Sequence, residues 1–291
     1  IVQNGLERSP IELQMFGMDS QLSRWLEEDI GSGDITTEAI VAGDARAKAV
    51  IHAKAPGVLA GVTLARRVFS LLDPQVEFAA CRTDGDTLTD TSVIATVEGR
   101  AQALLMGERL ALNLLQHLSG VATAAHRLSA IAAPFGARLV DTRKTTPGLR
   151  TLEKYAVRVG GAANHRLGLY DAMLIKDNHI KVAGGIAEAV RRARSYASHM
   201  TKIEVETESL AEVREALQAG ADDIMLDNMA PELMAQAVQL IDHRAVVEAS
   251  GGINEHTLAA VAKSGVDVIS VGALTHSVKA LDISMDIGDI K

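Results

Sequence analysis

The stretch from Asp141 to Lys181 concentrates positive charge. It holds eight Lys or Arg (Arg143, Lys144, Arg150, Lys154, Arg158, Arg166, Lys176, Lys181) against four acids (Asp141, Glu153, Asp171, Asp177), a local excess of 8 − 4 in a chain of formal charge -8. Cations gathered inside an acidic protein point to a focused anion pocket, because low-dielectric walls strengthen the field felt by a small polyanion. Arg150, Lys154 and Arg158 recur every four residues and are read as a solvated helix face. Arg143, Lys144, Arg166 and Lys176 share no such helix. Guanidinium forks match carboxylates and phosphates bidentately, so Arg143 and Arg166, with Lys144 and His165 as further donors, suit a ligand bearing more than one acid group. A histidine alone is more often structural, but the run Asn164-His165-Arg166 favours ligand contact.

Glu206 and Asp227 bring carboxylates to the same set. They could bind sugar hydroxyls, contact a substrate-borne Mg2+, or face positive charge developing on a sugar ring; the plainer reading is salt bridging to the lysines. Ser250-Gly251-Gly252 and Gly272-Ala273 could hold a phosphate through backbone N–H groups, which glycine lets an anion approach. The sequence carries no G-x-x-x-x-G-K, G-x-G-x-x-G, H-E-x-x-H or G-x-S-x-G, so nucleotide-loop, dinucleotide, zincin and hydrolase chemistries lose their strongest support. The residues alone leave two rivals open: a Schiff-base aldolase using Lys176, and a non-catalytic binder of a phosphorylated or polycarboxylate ligand.

Residues so far apart need a scaffold that gathers them. Six short apolar strands are expected at Arg138–Asp141, Ala172–Ile175, Ile203–Val205, Asp223–Leu226, Ala245–Ala249 and Val266–Val271. Helical spacing falls between them at Ile186–Tyr196, Leu210–Ala219, Pro231–Ile241 and His256–Lys263, with Gly220 and Gly265 where helix C-terminal caps belong. Such alternation implies a parallel α/β barrel, and each strand runs into a polar or glycine position at its C-terminal end: Thr142-Arg143-Lys144, Lys176, Glu206, Asp227, Ser250 and Gly272. In a parallel barrel those ends converge on one mouth. Upstream, strands at Ala47–Lys54, Val76–Arg82 and Ser92–Glu98 mix with helices after Asp19 (a candidate N-cap) and over Val62–Leu72, and two helices are expected across Ala101–Ala132 with a break at Gly120.

Composition bounds the function classes. With 291 residues, 47% hydrophobic and 23% charged, the chain is globular and long enough for one large or two ordinary domains. A charge of 29 − 37 and 3% aromatics argue against a nucleic-acid surface. Cys81 is the only cysteine, which excludes an intrachain disulfide and a Cys/His zinc quartet; no protein metal ligand is assigned, and a reducing cytoplasm fits. No apolar run suits a membrane span, and Ile1–Pro10 has no basic segment leading into an apolar one, so neither a membrane anchor nor a signal peptide is expected.

The most specific blocks are Asp141-Thr142-Arg143-Lys144-Thr145-Thr146-Pro147-Gly148-Leu149-Arg150, Asn164-His165-Arg166, and Leu174-Ile175-Lys176-Asp177-Asn178-His179, with Glu108-Arg109-Leu110-Ala111-Leu112-Asn113 as a further one. With Glu28–Thr36 and Gly272–Ser277, they make the sequence resemble, over nearly its whole length, the quinolinate phosphoribosyltransferases, or carboxylating nicotinate-nucleotide pyrophosphorylases. The resemblance implies an N-terminal α/β sandwich domain (1–112, with a tail at 277–291 packing back on it) and an incomplete TIM-like α/β barrel (113–276). It also implies a homodimer. The implied substrates are quinolinate and phosphoribosyl pyrophosphate with its Mg2+, and the products nicotinate mononucleotide, pyrophosphate and CO2. By position, Arg143, His165 and Arg166, with Arg109 of the other subunit, would hold the quinolinate carboxylates, with Thr142 beside them. Lys144 and Lys176 would lie between that ligand and the pyrophosphate. Glu206 and Asp227 would meet the ribose, and Ser250, Gly251 and Gly252 with Val271, Gly272 and Ala273 would hold a phosphate, His276 nearby. The departures are Val159, where a cysteine is expected in many relatives, and Ala162-Ala163 in a glycine-rich stretch.

Overall fold

A computed structural model describes residues 15 and 17–288. The reading of Ile1–Pro10 lies outside them. The chain divides into two compact units, one of residues 1–124, 158–160 and 278–291, the other of 125–157 and 161–277.

The first unit begins with α1 (Met18–Ile30) and α2 (Ile35–Ile40), then β1 (Arg46–Ala53), β2 (Gly57–Val58), α3 (Val62–Leu72), β3 (Glu77–Ala80), β4 (Thr87–Leu88) and β5 (Val93–Arg100). Gly17, not Asp19, precedes α1 as its N-cap; the Asp19 carboxylate instead accepts two hydrogen bonds of 2.7 Å from the Arg67 guanidinium. The main sheet is antiparallel, and β1 pairs on one side with β5 and on the other with residues 283–287 from the chain's far end. Ala47, Ala49, Ile51 and Ala53 alternate inward along β1 and are buried, as a sheet with one covered face requires.

The expected break at Gly120 is absent: α4 (Ala101–Ala132) is a single helix. Gly120 serves packing instead. A Cβ there would strike the Lys279 carbonyl oxygen and lie 3.1 Å from the Ala280 Cα, so its bare backbone admits the returning tail. The division of the units falls within this helix, at Ala124/Ala125.

The second unit continues from α4 through β6 (Arg138–Val140), α5 (Arg150–Val159), β7 (Met173–Ile175), α6 (Asp177–Ala183), α7 (Ile186–Tyr196), β8 (Ile203–Thr207), α8 (Leu210–Gln218), β9 (Asp223–Asp227), α9 (Pro231–Ile241), β10 (Val246–Ser250), α10 (Glu255–Lys263), β11 (Val268–Ser270) and α11 (Ala273–His276). The chain ends with β12 (Ile283–Ile287), in the first unit. Helices separate the strands, and the six pair in parallel in the order β6-β11-β10-β9-β8-β7, an incomplete α/β barrel. A single parallel bridge from Val140 to Ala163 extends the sheet beyond β6. Strand centres such as Val205, Ile224, Leu226, Val247 and Ala249 are buried, and Gly220 and Gly265 follow α8 and α10 at φ 81 and 93, the left-handed geometry of a helix terminus.

Candidate active site

Strand register lines up the polar ends. Ile175 pairs with Val205, which sets Lys176 beside Glu206, and Asp227 pairs with Ser250. Side chains alternate faces along a strand, so Glu206 shares its face with Glu204, Asp227 with Met225, and Ser250 with Glu248. These faces open on a cavity of about 490 Å³ whose wall includes Thr142, Arg143, Lys144, His165, Arg166, Lys176, Glu206, Asp227 and Ser250–Gly252. Eleven expected residues thus meet at one mouth. Glu248, Asn228, Ser270, Leu174 and Met225 also line it and were not singled out from the sequence. Stepping back two positions from each expected strand-end residue would have found Glu248 and Met225.

The cationic wall is incompletely neutralised. Arg143 Nε is buried and has no hydrogen-bond partner among the described residues. Burial, and then the neighbouring Arg143 charge, hold the Arg166 guanidinium below its ordinary pKa; its Nη1 donates to the Ala172 carbonyl at 3.0 Å. Two guanidinium groups held close together with an orphaned donor make a site that an anion stabilises. Lys144 is exposed, its backbone N–H donating to Thr142 Oγ1 at 3.0 Å. Lys176 Nζ donates to Glu206 Oε2 at 2.5 Å. The plainer reading of Glu206 as a salt-bridge partner therefore holds in this state. It also weighs against a Schiff-base nucleophile, since the Lys176 ammonium is ion-paired and 46% exposed, where such chemistry needs a desolvated amine.

Helix α5 departs from its expected solvated face. Arg158 is exposed, but Lys154 is buried, with Nζ donating to Asp141 Oδ1 at 2.5 Å and to the His165 carbonyl at 3.1 Å. The cause is Asp141, fully buried at the end of β6, which needs a counter-charge. It also accepts from Asn164 Nδ2 at 2.6 Å and from the His165 backbone N–H at 2.8 Å. Burial still pushes the Asp141 carboxyl above its usual range, against the opposing Lys154 contact. Arg150 Nε donates to Thr145 Oγ1 at 3.0 Å and its Nη1 to the Leu167 carbonyl at 3.1 Å, bracing the loops that carry Arg143 and Arg166.

His165 faces carboxylates as well as the cavity. Its Nε2 lies 3.2 Å from Glu204 Oε2 and 3.6 Å from Glu248 Oε1, and its Nδ1 accepts the Arg166 backbone N–H at 2.7 Å. That acceptor role places the ring proton on Nε2. Burial works to lower the imidazole pKa, but the hydrogen bond to Glu204 and the charges of Glu248 and Glu204 outweigh it and the net direction is upward. Two ionised carboxylates within 4.8 Å of one another would repel by about 3 kcal/mol at an effective dielectric of about 20. One glutamate accordingly keeps a proton. Burial, then the Glu204 charge, raise Glu248 to about 7, making it the holder.

At the far strands, Gly251 has φ +93 and a Cβ there would collide with the Asn228 side chain. Asn228 itself has φ 54, donates its backbone N–H to the Ser250 carbonyl at 2.9 Å and its Nδ2 to Asp227 Oδ2 at 2.7 Å. Strained backbone of this kind gathers at functional sites. Val271, Gly272 and Ala273 are absent from the cavity wall. Val271 is buried, and a Cβ on Gly272 would meet Lys144 Cδ at 3.0 Å and the His276 ring at 3.1 Å, so this turn packs against Lys144. Arg109 lies on the α4 segment of the first unit, 59% exposed, with Nη2 4.0 Å from Glu108.

Known proteins resemble the chain throughout both units. Residues 34–119 match the quinolinate phosphoribosyl transferase N-terminal domain family and residues 121–286 the C-terminal domain family. The probable nicotinate-nucleotide pyrophosphorylase [carboxylating] of Bacillus subtilis is 49% identical over 266 residues, covering 91% of this chain and 92% of that protein. The chloroplastic enzyme of the same name from Arabidopsis thaliana is 42% identical, over 90% of this chain and 80% of that one. Among solved structures, NadC from Streptococcus pyogenes superposes with a TM-score of 0.92 at 44% identity, covering 96% of this chain and 98% of that one. By sequence and by fold, the chain belongs to the quinolinate phosphoribosyl transferase family.

Proposed function

We propose that the protein transfers the phosphoribosyl group of phosphoribosyl pyrophosphate to the ring nitrogen of quinolinate. CO2 is lost, and nicotinate mononucleotide and pyrophosphate are formed on the route to NAD. The observation that carries this reading is the convergence of Arg143, Lys144, His165, Arg166 and Lys176 on one cavity with a buried Arg143 donor unsatisfied, which suits a dicarboxylate beside a polyphosphate. Arg143 and Arg166 grip the carboxylates with Thr142 alongside. Lys144 and Lys176 offset the charge growing on the departing pyrophosphate, and Glu206 or Asp227 faces the cationic ribose of the transition state; charges fixed before reaction lower the barrier without reorganisation. Ligand phosphate takes the Ser250–Gly252 turn. Once bonded to ribose, the ring nitrogen is positive and stabilises the electron pair that the departing carboxylate leaves on the neighbouring ring carbon.

In this reading phosphoribosyl pyrophosphate enters as its Mg2+ complex, the metal being part of the substrate. The enzyme works as a homodimer, with Arg109 of one copy completing the other copy's site. Its exposed guanidinium supports this reading, because such a fork suits a carboxylate ligand. Among the described residues no helix is long and apolar enough to cross a membrane. The reading includes a cytoplasmic setting, which the exposed thiol of Cys81 suits.

The test supplies phosphoribosyl pyrophosphate and Mg2+ with either quinolinate or nicotinate and follows pyrophosphate and CO2. Equal release of both with quinolinate and none with nicotinate is expected; ligand binding without pyrophosphate release would leave a binding protein. Mixing Arg109→Ala with Lys176→Ala protein tests the shared site, because one intact site per mixed dimer restores activity only if Arg109 crosses over.

A further inference from the structure

The proposed reaction demands a proton: when the carboxylate leaves as CO2, the ring carbon it occupied must gain hydrogen. We propose that Glu248 is the acid that delivers this proton, with Glu204 and His165 as its positioning residues. The inference rests on the reaction assigned above. It stands first on geometry. Glu248 lines the cavity, is 5% exposed, and its Oε1 has no hydrogen-bond partner among the described residues. A buried carboxyl on the cavity wall, with one oxygen left without a hydrogen bond, suits a neutral acid with a proton to give.

The groups around it keep it loaded. On β8, Glu204 Oε2 accepts a hydrogen bond from the His165 Nε2–H at 3.2 Å; burial first, then the Glu204 charge and that of Asp223 on β9, raise Glu248. A second proton on the His165 ring would oppose them, as does the Ser270 hydroxyl on β11. Lys154 faces His165 from α5 and Arg166 faces Glu204. Other polar groups of the wall suit the task less well. Arg143 and Arg166 hold their protons too tightly, Lys176 is engaged by Glu206 at 2.5 Å, and the His165 Nε2–H, if lost, would leave an imidazolate. The same imidazole argues against a metal at the His165, Glu204 and Glu248 cluster, since Nδ1 already accepts the Arg166 N–H and Nε2, carrying hydrogen, has no lone pair to give.

In the step itself, the bond from ring carbon to carboxylate breaks and its electron pair stays on the carbon beside the cationic nitrogen. CO2 departs. The Glu248 O–H bond breaks, the proton forms the new C–H bond, and solvent then returns a proton to the resulting carboxylate. Without the acid, the carbanion recaptures CO2.

The experiment compares wild-type, Glu248→Gln and Glu204→Gln proteins in single turnovers with quinolinate, phosphoribosyl pyrophosphate and Mg2+, measuring pyrophosphate, CO2 and nucleotide masses across pH. Glu248→Gln is expected to release pyrophosphate while CO2 formation falls about 100-fold and the undecarboxylated nucleotide accumulates. Wild-type CO2 formation should decline above about pH 7, and Glu204→Gln, which removes a charge that keeps Glu248 protonated, should move that decline to lower pH. An unchanged ratio of CO2 to pyrophosphate in Glu248→Gln overturns the proposal. So does a Glu204→Gln profile that does not move, which decides the matter if Glu248→Gln fails to fold. A divalent ion held by wild-type protein and lost from Glu248→Gln would put a metal site in its place and also overturn it. Absence of pyrophosphate from wild-type protein itself refutes the underlying reaction instead.

Discussion

Replacing Lys154 by Met isolates the interaction that anchors the cationic loops. Lys154 is 1% exposed and Asp141 0%, and the ammonium donates to the carboxylate at 2.5 Å and to the His165 carbonyl at 3.1 Å. Methionine fills much the same volume but strands a buried carboxylate. Breaking one side of a buried pair costs about 3–5 kcal/mol. For a unit of this size that is a fall of about 10 °C in Tm. The two hydrogen bonds from Asn164 and the His165 backbone remain, which argues for the lower end of that range. The pH dependence has a definite sign. The Asp141 carboxyl is already raised above its ordinary 3.8, chiefly by burial, so the stability it contributes is full below about pH 4 and lost as pH rises through its folded pKa. Without Lys154 that pKa climbs further, and the deficit against wild type should widen from acid to neutral pH. Urea denaturation of both proteins across this window measures it. The double variant Asp141→Asn with Lys154→Met should recover most of the loss, because a neutral pair leaves no buried charge. A deficit below about 1 kcal/mol, or one that stays flat with pH, would refute the reasoning.

Three other perturbations follow from the geometry. Gly251→Ala forces a Cβ into Asn228 at φ +93 and should cost about 1–3 kcal/mol, with a raised KM for phosphoribosyl pyrophosphate; thermal melts and initial rates report both. Lys176→Met removes the ammonium opposite Glu206 at a half-exposed position, so pyrophosphate release should fall about 100-fold while the circular dichroism spectrum and melting point stay near wild type. Glu248 is raised from 4.5 to about 7, so its stability contribution is full below pH 4.5 and lost as pH rises through about 7. That shift of roughly 2.5 units corresponds to about 3 kcal/mol at most, shared with Glu204 and His165. Denaturation of Glu248→Gln should show this part of the pH dependence flattened.

The sequence made the scaffold of the site legible because each strand's apolar run ends abruptly in a polar group, and parallel pairing then fixes where those groups go. Lys176 beside Glu206 is a direct product of the Ile175 to Val205 register. What stayed hidden were the charged groups within the runs. Glu204 and Glu248 interrupt apolar strands, and without pairing partners nothing in the sequence shows that they close around one imidazole. Lys154 was misplaced for a related reason: four-residue spacing describes a helix face but not what the face meets, and Asp141 turned it inward. Gly120 misled in the opposite direction, since a glycine needed for close approach looks in sequence like one that ends a helix.

The pairing of β1 with β12 has a consequence for synthesis. The centre of the first sheet leaves the ribosome well before the strand that covers one of its edges, which is made only after the whole second unit, and at about 5–20 residues per second the wait is on the order of tens of seconds. Throughout that interval nascent β1 offers open amides and carbonyls to any passing strand. A message truncated after Ser277 would leave that exposure permanent, so such fragments should be captured by chaperones or aggregate even though every residue of the catalytic barrel has been translated.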